Sequence, residues 1–404
     1  MGYIEPPPIT WEEKEAFIDN INTILSVRLT LDEHEKIPAA FRDYNIANGR
    51  VTFKVKGEFE VDLTIGDEDF EQQFWFIDFR FLFTPAPAEL SHSVRAFLEN
   101  KVNTILGDQG LAGCYKYLHE FVLTQKIIEF RRQATEMAMG RWVDTLKVEK
   151  LNRAMSVQYW LKPPHGLGGP IAQTAKSWIL LGVWSGTGAE GDLASYISLR
   201  WFRENKEVKE FDIPLNVDSI SAEKLLTAVI ASHVEYILTS ISSRLLSKPR
   251  FAQKHARLDL EISKEEPQNS SLAIQLFDND KAVIKIEPLT GLFTLFPRSP
   301  VFLKGQMKLN TSSNAAEEGA NLMEQLRYDH VWSNLNSRVR SIGWCVSRPP
   351  ITQEETKAIV YSDASGSREP FKAVWLRKAN WITRQWFVMM SMSLGGDQWW
   401  LIDL

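Results

Sequence analysis

The hydrophobic pattern of this chain switches between two periods along its length. From Val51 to Ile65, apolar residues occupy every second position except Gly57, with mostly polar or charged residues between them. This alternation predicts one half-buried strand, or a hairpin that turns at Gly57. From Leu111 to about Met139, apolar residues recur at helical spacing on more than one side, which predicts a long helix between two layers. The sequence therefore predicts small sheets that alternate with long helices.

Two segments carry more specific signals. Thr10 precedes a helical pattern, and threonine is a favoured N-cap residue. The segment Phe74–Phe83 is apolar on both faces except at Asp78 and Arg80, which share a face because they are two residues apart. We predict that this segment is a central strand. We also predict that Asp78 and Arg80 are buried and paired with each other, since an unpaired buried charge is costly.

The remaining elements follow the same scheme. Gly107 and Gly110 are expected to interrupt the helical pattern that starts near Val94, and Ser221 is the predicted N-cap of a helix that ends near Leu245. A further helix is predicted at 314–339, and further strands are predicted at 155–161, 178–184, 196–202, 256–262, 271–277, 282–288, 291–296, 373–377, 386–394 and 398–402, the last two joined by a turn at Gly395-Gly396.

Two similar segments indicate an internal repeat. Phe81–Pro85 and Phe293–Pro297 each end a predicted sheet, and their prolines are 212 positions apart (297 minus 85). We predict an α+β fold with two tandem repeat modules, each of small, mostly antiparallel sheets that alternate with long helices. The predicted divisions are a proline lead-in and entry helix at 1–36, a first module at 37–250 and a second module at 251–404. Since the second module lacks a counterpart of the 221–246 helix, we expect it to be truncated at its C-terminus.

Composition and charge narrow the function classes. The chain has 404 residues, of which 44% are hydrophobic and 24% charged, as is usual for a globular protein of two or three domains. A formal net charge of −5 gives no general attraction to phosphate backbones, so we expect no direct contact with nucleic acid. Two cysteines cannot form a disulfide framework, and no run of about 18 apolar residues indicates a membrane span. We expect a soluble protein of the reducing cell interior.

Each motif that could carry chemistry lacks part of its context. Gly186–Gly191 matches the glycine pattern of dinucleotide-binding loops, but Tyr196–Phe202 alternates as a strand where that motif requires a helix. The seven histidines never pair at metal-ligand spacing, and Asp278-Asn279-Asp280 lacks the glycine and glutamate of a calcium loop. We predict no catalytic, cofactor-binding or metal-binding residue. The alternative is a nucleotide-binding enzyme that uses Gly186–Gly191, and it demands a helix that begins near Gly188.

The aromatic content offers a positive indication of binding. The chain has 14 tryptophans and 22 phenylalanines, and large aromatic side chains often anchor protein interfaces. Trp386, Trp399 and Trp400 lie where the second module lacks its closing helix. These three residues are the candidate protein interface. The other interpretation, that they fill the core of the last sheet, stays open at this point.

Several segments resemble one known family. They are Ile4–Thr10 (IEPPPIT), Arg50–Phe83, the stretch from Gly110 through Gly140-Arg141-Trp142, Leu151–Ala154 and Lys176–Trp178. This set is similar to the repeat-module region of fungal Mediator complex subunit 14. The likeness is most specific over residues 1–246 and becomes looser, though collinear, up to residue 404.

The resemblance implies a nuclear, non-enzymatic scaffold of the coactivator that couples activators to RNA polymerase II. Its partners would be other Mediator subunits, with RNA polymerase II as an indirect partner. The helical N-terminal domain expected before the proline run, and everything past the second repeat, are absent from this chain. That favours the head module as the contact for this segment, with the middle and tail modules reached through the rest of the protein. The family has no catalytic motif, so no residue role is carried over.

Overall fold

A computed structural model of the chain defines most of its elements. It describes residues 9–70, 72–87, 89–161, 176–187, 193–248, 251, 257–277, 280–312, 314–348, 350–362, 371–378, 381, 385–393 and 396–403. Within these ranges the chain forms six α-helices and four antiparallel sheets. The predicted α+β class is therefore confirmed.

The first described element is a helix that packs on a four-stranded sheet. Helix α1 (Trp11–Val27) begins with a capping box, in which Thr10 and Glu13 each accept the other's backbone N–H. Leu25, near its C-terminal end, is buried in the core shared with the sheet. The first sheet is a meander of β1 (Tyr44–Ala47), β2 (Arg50–Val55), β3 (Phe59–Ile65) and β4 (Phe74–Phe81). The predicted hairpin turned at Gly57 is confirmed by the pairing of β2 with β3.

Helix α2 (His92–Met139) is shared by two sheets. One of the two predicted interruptions is confirmed, since Gly110 has a φ of 64° and a ψ of −154° that no other residue type adopts readily. The interruption predicted at Gly107 is wrong, because that residue is helical. On one side Phe121 packs against Phe79 and Phe81 of the first sheet. On the other side the helix packs on the second sheet, whose strands in order are β5 (Leu146–Leu151), β6 (Ala154–Tyr159), β7 (Ser177–Thr187), β8 (Leu193–Arg203) and β9 (Lys206–Val208).

The second half of the chain repeats this order. Helix α3 (Ala222–Leu246), capped by Ser221, leads to the third sheet of β10 (Leu258–Glu261), β11 (Ser271–Phe277), β12 (Asp280–Ile286) and β13 (Phe293–Phe296). Helices α4 (Pro300–Thr311) and α5 (Ala315–Ser341) follow. The fourth sheet contains β14 (Trp344–Ser347), β15 (Lys372–Lys378), β16 (Trp386–Ser393) and β17 (Gly396–Asp403), with α6 (Gln353–Ser362) between β14 and β15.

Helix α3 is long and apolar enough to cross a membrane by length and composition alone. More than half of its most apolar stretch is buried inside the protein, and Val229, Val234 and Leu238 are fully enclosed. A core helix passes the same test of length and hydropathy as a membrane span. Its apolar character is thus accounted for by packing within the fold.

The prediction of a central strand at Phe74–Phe83 is wrong. Strand β4 is the last strand of the first sheet, and α2 lies along its free edge. Asn103 Oδ1 accepts the backbone N–H of Phe76 at 2.8 Å, and Arg95 donates to the carbonyl of Ile77 at 3.3 Å. Helix side chains therefore satisfy backbone groups that a further strand would otherwise pair.

The same arrangement recurs in the third sheet. There α4 lies along the edge strand β13, where Asn310 exchanges two hydrogen bonds with the backbone of Phe293, at 2.8 and 3.1 Å. Gln306 accepts the backbone N–H of Leu295 at 3.1 Å. In chain order, α4 and α5 correspond to the two parts of α2 on either side of Gly110. This recurrence is compatible with the predicted tandem modules.

One hydrophobic core extends across the predicted division at residue 250. It runs from Leu25 in α1 to Leu326 in α5 and includes apolar residues of the first three sheets. The fourth sheet has two separate clusters, one on each of its faces. The division at 250 and the other predicted boundaries stay predictions.

Trp160 joins the second sheet to the third. Its indole N–H donates to the carbonyl of Pro288 at 2.8 Å, and its ring stacks on His233 of α3 with centroids 4.4 Å apart. The ring also lies against Gly291, where an added Cβ would meet it at 2.5 Å. Only glycine leaves room for this contact, so Gly291 is required both for the indole and for its own φ of 71°.

A chain of buried hydrogen bonds lies next to Trp160. Trp201 Nε1 donates to the hydroxyl of Tyr159 at 2.9 Å, and the same hydroxyl is hydrogen-bonded to His233 Nδ1 at 3.0 Å. Burial, together with the positive charge of Arg203, lowers the pKa of His233 to about 3. The histidine is therefore neutral throughout the physiological range.

We expect His233 to make the protein less stable as the pH falls from neutral towards 4. Its unfolded-state pKa is near the ordinary value of about 6.5, so below that pH the unfolded chain binds a proton that the folded chain does not. The contribution should approach about 1.4 kcal/mol per pH unit. Denaturant unfolding at several pH values measures it.

The matched control for this pH dependence is His233→Gln, which keeps an acceptor for Tyr159 but cannot titrate. Its unfolding free energy should fall less between pH 6 and pH 4 than that of the unchanged protein. Identical slopes in the two proteins would show that His233 does not take up a proton on unfolding.

Candidate protein interface

The structure decides between the two readings of the Gly186–Gly191 loop. Residues 188–192 lie outside the described residues, but the segment that follows is strand β8, which pairs with β7 from Trp178↔Phe202 to Thr187↔Leu193. The nucleotide-binding alternative requires a helix beginning near Gly188, whose N-terminal amides would face a pyrophosphate. The hairpin provides no such helix, and the predicted strand at Tyr196–Phe202 is confirmed.

The described histidines and acidic residues form no metal site, and His119 joins two sheets. No group of three His, Cys, Asp or Glu side chains in the described ranges could hold a metal ion. His119 links three elements: Nδ1 contacts Glu58 of the first sheet at 2.7 Å, and Nε2 contacts the carbonyl of Ser195 in β8 at 2.8 Å. Both partners are acceptors. Although burial opposes it, the hydrogen bonds and negative charge around the ring, above all those of Glu58, raise the pKa of His119.

The predicted pair of Asp78 and Arg80 needs correction. Asp78 is half-buried and pairs with Arg95 of α2 at 3.0 Å, whereas Arg80 is exposed and bonds to Asp62 at 3.2 Å. A register shift between β3 and β4 after Asp62 changes the alignment at this point. Each residue therefore has a different partner, because neighbouring elements offer opposite charges that the strand alone did not reveal.

Asp62 is the buried charge of the first sheet. It is 2% exposed, and its carboxylate accepts hydrogen bonds from Thr52 at 2.7 Å, Arg50 at 3.1 Å and Arg80. Three donors on two flanking strands thus surround one carboxylate. Such charge-assisted hydrogen bonds compensate the loss of water around a buried carboxylate. Sequence periodicity places Asp62 on the polar face of β3 and gives no sign that the centre of this face is closed to water.

The candidate residues Trp386, Trp399 and Trp400 all lie in the hairpin of β16 and β17. Its turn at Gly395-Gly396 is only partly within the described residues, where Ser393 pairs with Gly396. On one face of the fourth sheet, Val374, Leu376, Met390 and Met392 cluster with residues of α5. On the other face, Trp375, Phe387 and Met389 cluster with Val360 of α6. Helices thus cover the two central strands, β15 and β16, on both faces of the sheet.

Two of the three candidates are partly enclosed. Trp400 is half-buried and packs on the α6 side of the sheet. Trp386 is also half-buried and lies edge-on to Trp381, with ring centroids 5.8 Å apart, and Trp381 in turn contacts Trp344. Both side chains contribute to the packing of the fourth sheet.

Trp399 differs from the other two candidates. It is 54% exposed, and Leu401, two residues further on the same face of β17, is 64% exposed. Counting strands from the start of each sheet, β17 corresponds to β8 of the second sheet, where Leu199 and Trp201 lie in the core that includes α3. No described helix covers Trp399 and Leu401 in this way, so they form an exposed apolar pair at the edge of the fourth sheet.

A second aromatic surface was not among the predictions. It lies on the face of the second sheet opposite α2 and includes Trp178, Trp184 and Phe202. The sequence carried a signal for it, because β7 is apolar at both even and odd positions from Trp178 to Trp184. A strand that is apolar on both faces is typical of burial on both sides.

Comparison with known families gives two matches at different parts of the chain. Residues 1–67 match the family model of Mediator complex subunit MED14, and residues 241–335 match that of the fungal Med14 domain. Together these segments include α1 and most of the first sheet, and the helices and third sheet at the centre of the second half.

Similar curated proteins cover the whole chain. The chain is 90% identical over 408 aligned positions to Mediator of RNA polymerase II transcription subunit 14 of Neurospora crassa, covering 100% of this chain and 32% of that protein. It is 48% identical to the protein of that name from Chaetomium globosum and 31% identical to that from Emericella nidulans, again over 100% of this chain and 34% and 35% of theirs. The chain therefore spans about a third of the length of these relatives.

Because Asp62 is the enclosed carboxylate, we expect Asp62→Ala to destabilise the protein more than Asp78→Ala. Loss of three hydrogen bonds to a buried charge should lower the free energy of unfolding by about 2 kcal/mol. Asp78 and Arg95 form a partly exposed pair, whose loss should cost less than about 1 kcal/mol. Urea denaturation of the two variants compares them directly, and an equal or larger loss at Asp78 would refute the assignment.

Proposed function

Because this chain belongs to the Mediator subunit 14 family and spans about a third of the length of its relatives, we propose that it is a non-enzymatic scaffold of the Mediator coactivator. In this role it holds other subunits in place and so contributes to the coupling of activators to RNA polymerase II. The whole-chain identity to the Neurospora protein is the observation that carries the proposal. The paired α+β units provide the sheet edges and helix faces that a scaffold requires.

The described residues are consistent with binding rather than catalysis. Their buried polar groups, such as Tyr159 and His233, are hydrogen-bonded to one another inside the core and have no access to a substrate. The exposed pair of Trp399 and Leu401 is an apolar surface of the kind that a partner protein covers. Tryptophan is among the residues that contribute most binding energy in protein interfaces.

The proposed partners are other Mediator subunits, and the proposed location is the nucleus, as a subunit of a transcription complex requires. For this segment the head module is the proposed contact, with the middle and tail modules contacted by other parts of the longer protein. RNA polymerase II would be reached indirectly. The proposed interface has Trp399 and Leu401 on one face of β17, and the partly enclosed Trp386 lies on the same face of the adjacent strand β16. Trp400 faces the opposite side of the sheet, towards α6.

We expect Trp399→Ala to weaken binding to the head-module subunits by about 2 kcal/mol, or roughly 30-fold in Kd, while leaving the thermal unfolding midpoint nearly unchanged. The reason is that Trp399 is exposed in the isolated chain and contributes little to its core. Pull-down with reconstituted subunits, titrated to obtain Kd, measures the change.

Trp75→Ala is the matched control, because Trp75 is a 43% exposed tryptophan on the first sheet, away from the fourth. It should bind like the unchanged chain. If the unchanged chain binds no subunit, the scaffold proposal fails. If it binds and Trp399→Ala binds equally well, the exposed pair of Trp399 and Leu401 is not the subunit interface.

A further inference from the structure

His119 of α2 lies between the first and second sheets and contacts a hydrogen-bond acceptor on each side. Its Nδ1 is 2.7 Å from the carboxylate of Glu58, in the hairpin that joins β2 to β3. Its Nε2 is 2.8 Å from the backbone carbonyl of Ser195 in β8. Carboxylate and carbonyl oxygens only accept, and a neutral imidazole has a single N–H. Both contacts are therefore hydrogen bonds only when both ring nitrogens carry a proton. We call these three residues the His119 junction.

Other parts of the fold hold both acceptors and the ring in place. The carbonyl of Glu58 accepts the backbone N–H of Leu82 at 2.9 Å, which ties the hairpin to the residue after β4. Ser195 lies within the second sheet, and its hydroxyl donates to Glu120 of α2. The ring stacks on Tyr115, one helical turn earlier, with centroids 5.6 Å apart. Loss of either contact of His119 therefore requires the ring, the hairpin or the strand to move.

The charges of this region balance when His119 is protonated. The charged side chains that interact around the ring are three carboxylates and two cations, namely Glu58, Glu120, Asp218, Arg153 and Lys126. Arg153 bonds to Glu120, and buried Lys126 interacts with Glu58 and Asp218. Tyr115 adds no charge, because burial and the carboxylate of Glu58 raise its pKa. One negative charge is left over, and the proton on His119 supplies its counterpart.

The surroundings of the ring also favour its charged form. Burial opposes protonation, but hydrogen bonds to Glu58 and the Ser195 carbonyl, together with the charges of Glu58 and Glu120, outweigh it and raise the pKa of His119. In the unfolded chain a histidine has a pKa of about 6.5. The folded chain therefore keeps this proton to a higher pH than the unfolded chain does. The resulting stabilisation is complete below about pH 6.5 and is lost as the pH rises through the raised pKa.

Two other described histidines and one arginine make contacts that do not depend on such a proton. Burial, together with the charge of Arg203, lowers the pKa of His233 to about 3, so this ring stays neutral. His330 contacts one acceptor, the carboxylate of Asp280, through Nε2 at 2.7 Å, and a neutral ring can donate there. The contact from α5 to β17 is made by Arg327 and Asp397, and arginine does not titrate near neutral pH.

We propose that a proton shared between the two sheets through His119 holds the β2–β3 hairpin and β8 together, and that its loss releases one of them. The alignment of the first sheet on the second then depends on pH above neutrality. This inference goes beyond the proposed scaffold function and does not require it, since it concerns the folded chain by itself.

NMR titration of the chain with 13C- and 15N-labelled histidine tests the protonation state. We expect both ring nitrogens of His119 to be protonated at pH 7 and the ring to titrate at a pH above about 6.5. Glu58→Gln keeps an acceptor but removes the negative charge, so it should lower the midpoint of His119, and this shift also identifies its signal. A neutral His119 ring at pH 7, or a midpoint at or below about 6.5, would overturn the proposal.

Amide hydrogen exchange, corrected for its intrinsic dependence on pH, tests the structural consequence. As the pH rises through the His119 midpoint, protection should fall at residues 56–58 or at 194–196, while residues 388–390 in the central strand β16 serve as an internal reference. In Glu58→Gln the fall should occur at a lower pH. Constant protection at both segments while His119 titrates would show that the proton does not hold the sheets together.

A pair of histidine substitutions gives an independent measurement. Between about pH 6.5 and pH 8, the unfolding equilibrium constant of the unchanged chain should rise by up to about tenfold per pH unit, and His119→Gln should show a smaller rise. His330→Gln is the matched control, because it removes a histidine with a single acceptor, and it should keep the slope of the unchanged chain. Equal slopes in all three proteins would contradict the proposal. If His119→Gln does not fold, the exchange comparison with Glu58→Gln decides.

Discussion

The structure depends on helices that are each shared by two sheets. A four- or five-stranded sheet with one apolar face cannot stand alone in water, and here the layer that covers it also covers the next sheet. Helix α2 packs on the first and second sheets, and α5 contacts the third and the fourth. Because each helix is shared by two sheets, α2 and α3 are apolar on several sides. An ordinary surface helix has a single apolar stripe.

Polar groups inside such a core must be satisfied by their neighbours, and the chain does this at each junction. Between the first and second sheets, His119 contacts Glu58 and the carbonyl of Ser195. Between the second and third, Trp160 donates to Pro288 while Tyr159 and His233 bond to each other. These contacts fix how successive sheets are aligned, because each one has only a single set of partners.

Periodicity was sufficient to predict the local elements but not their neighbours. The capping box at Thr10, the hairpin at Gly57 and the break at Gly110 depend on residues within a few positions, and they could be predicted. Asp78 and Arg80 could not be assigned, because their partners Arg95 and Asp62 come from other elements. The sequence predicts a central strand at β4, since a covering helix and a covering strand leave the same apolar pattern. For the same reason, the sequence does not show which aromatic residues near the C-terminus are enclosed. That depends on where α5 and α6 pack on the fourth sheet.

The single core that links the first three sheets also has a mechanical consequence. Protein interiors pack as densely as organic crystals and have low compressibility. We therefore expect strain in the first sheet to be transmitted through α2 and α3 to the third sheet. Trp160, wedged against Gly291, acts as a stop against sliding between the second and third sheets. The fourth sheet packs in clusters of its own, so the packing of that core does not hold it in place. We therefore expect the first three sheets to resist deformation together, and the fourth sheet to be the more compliant part.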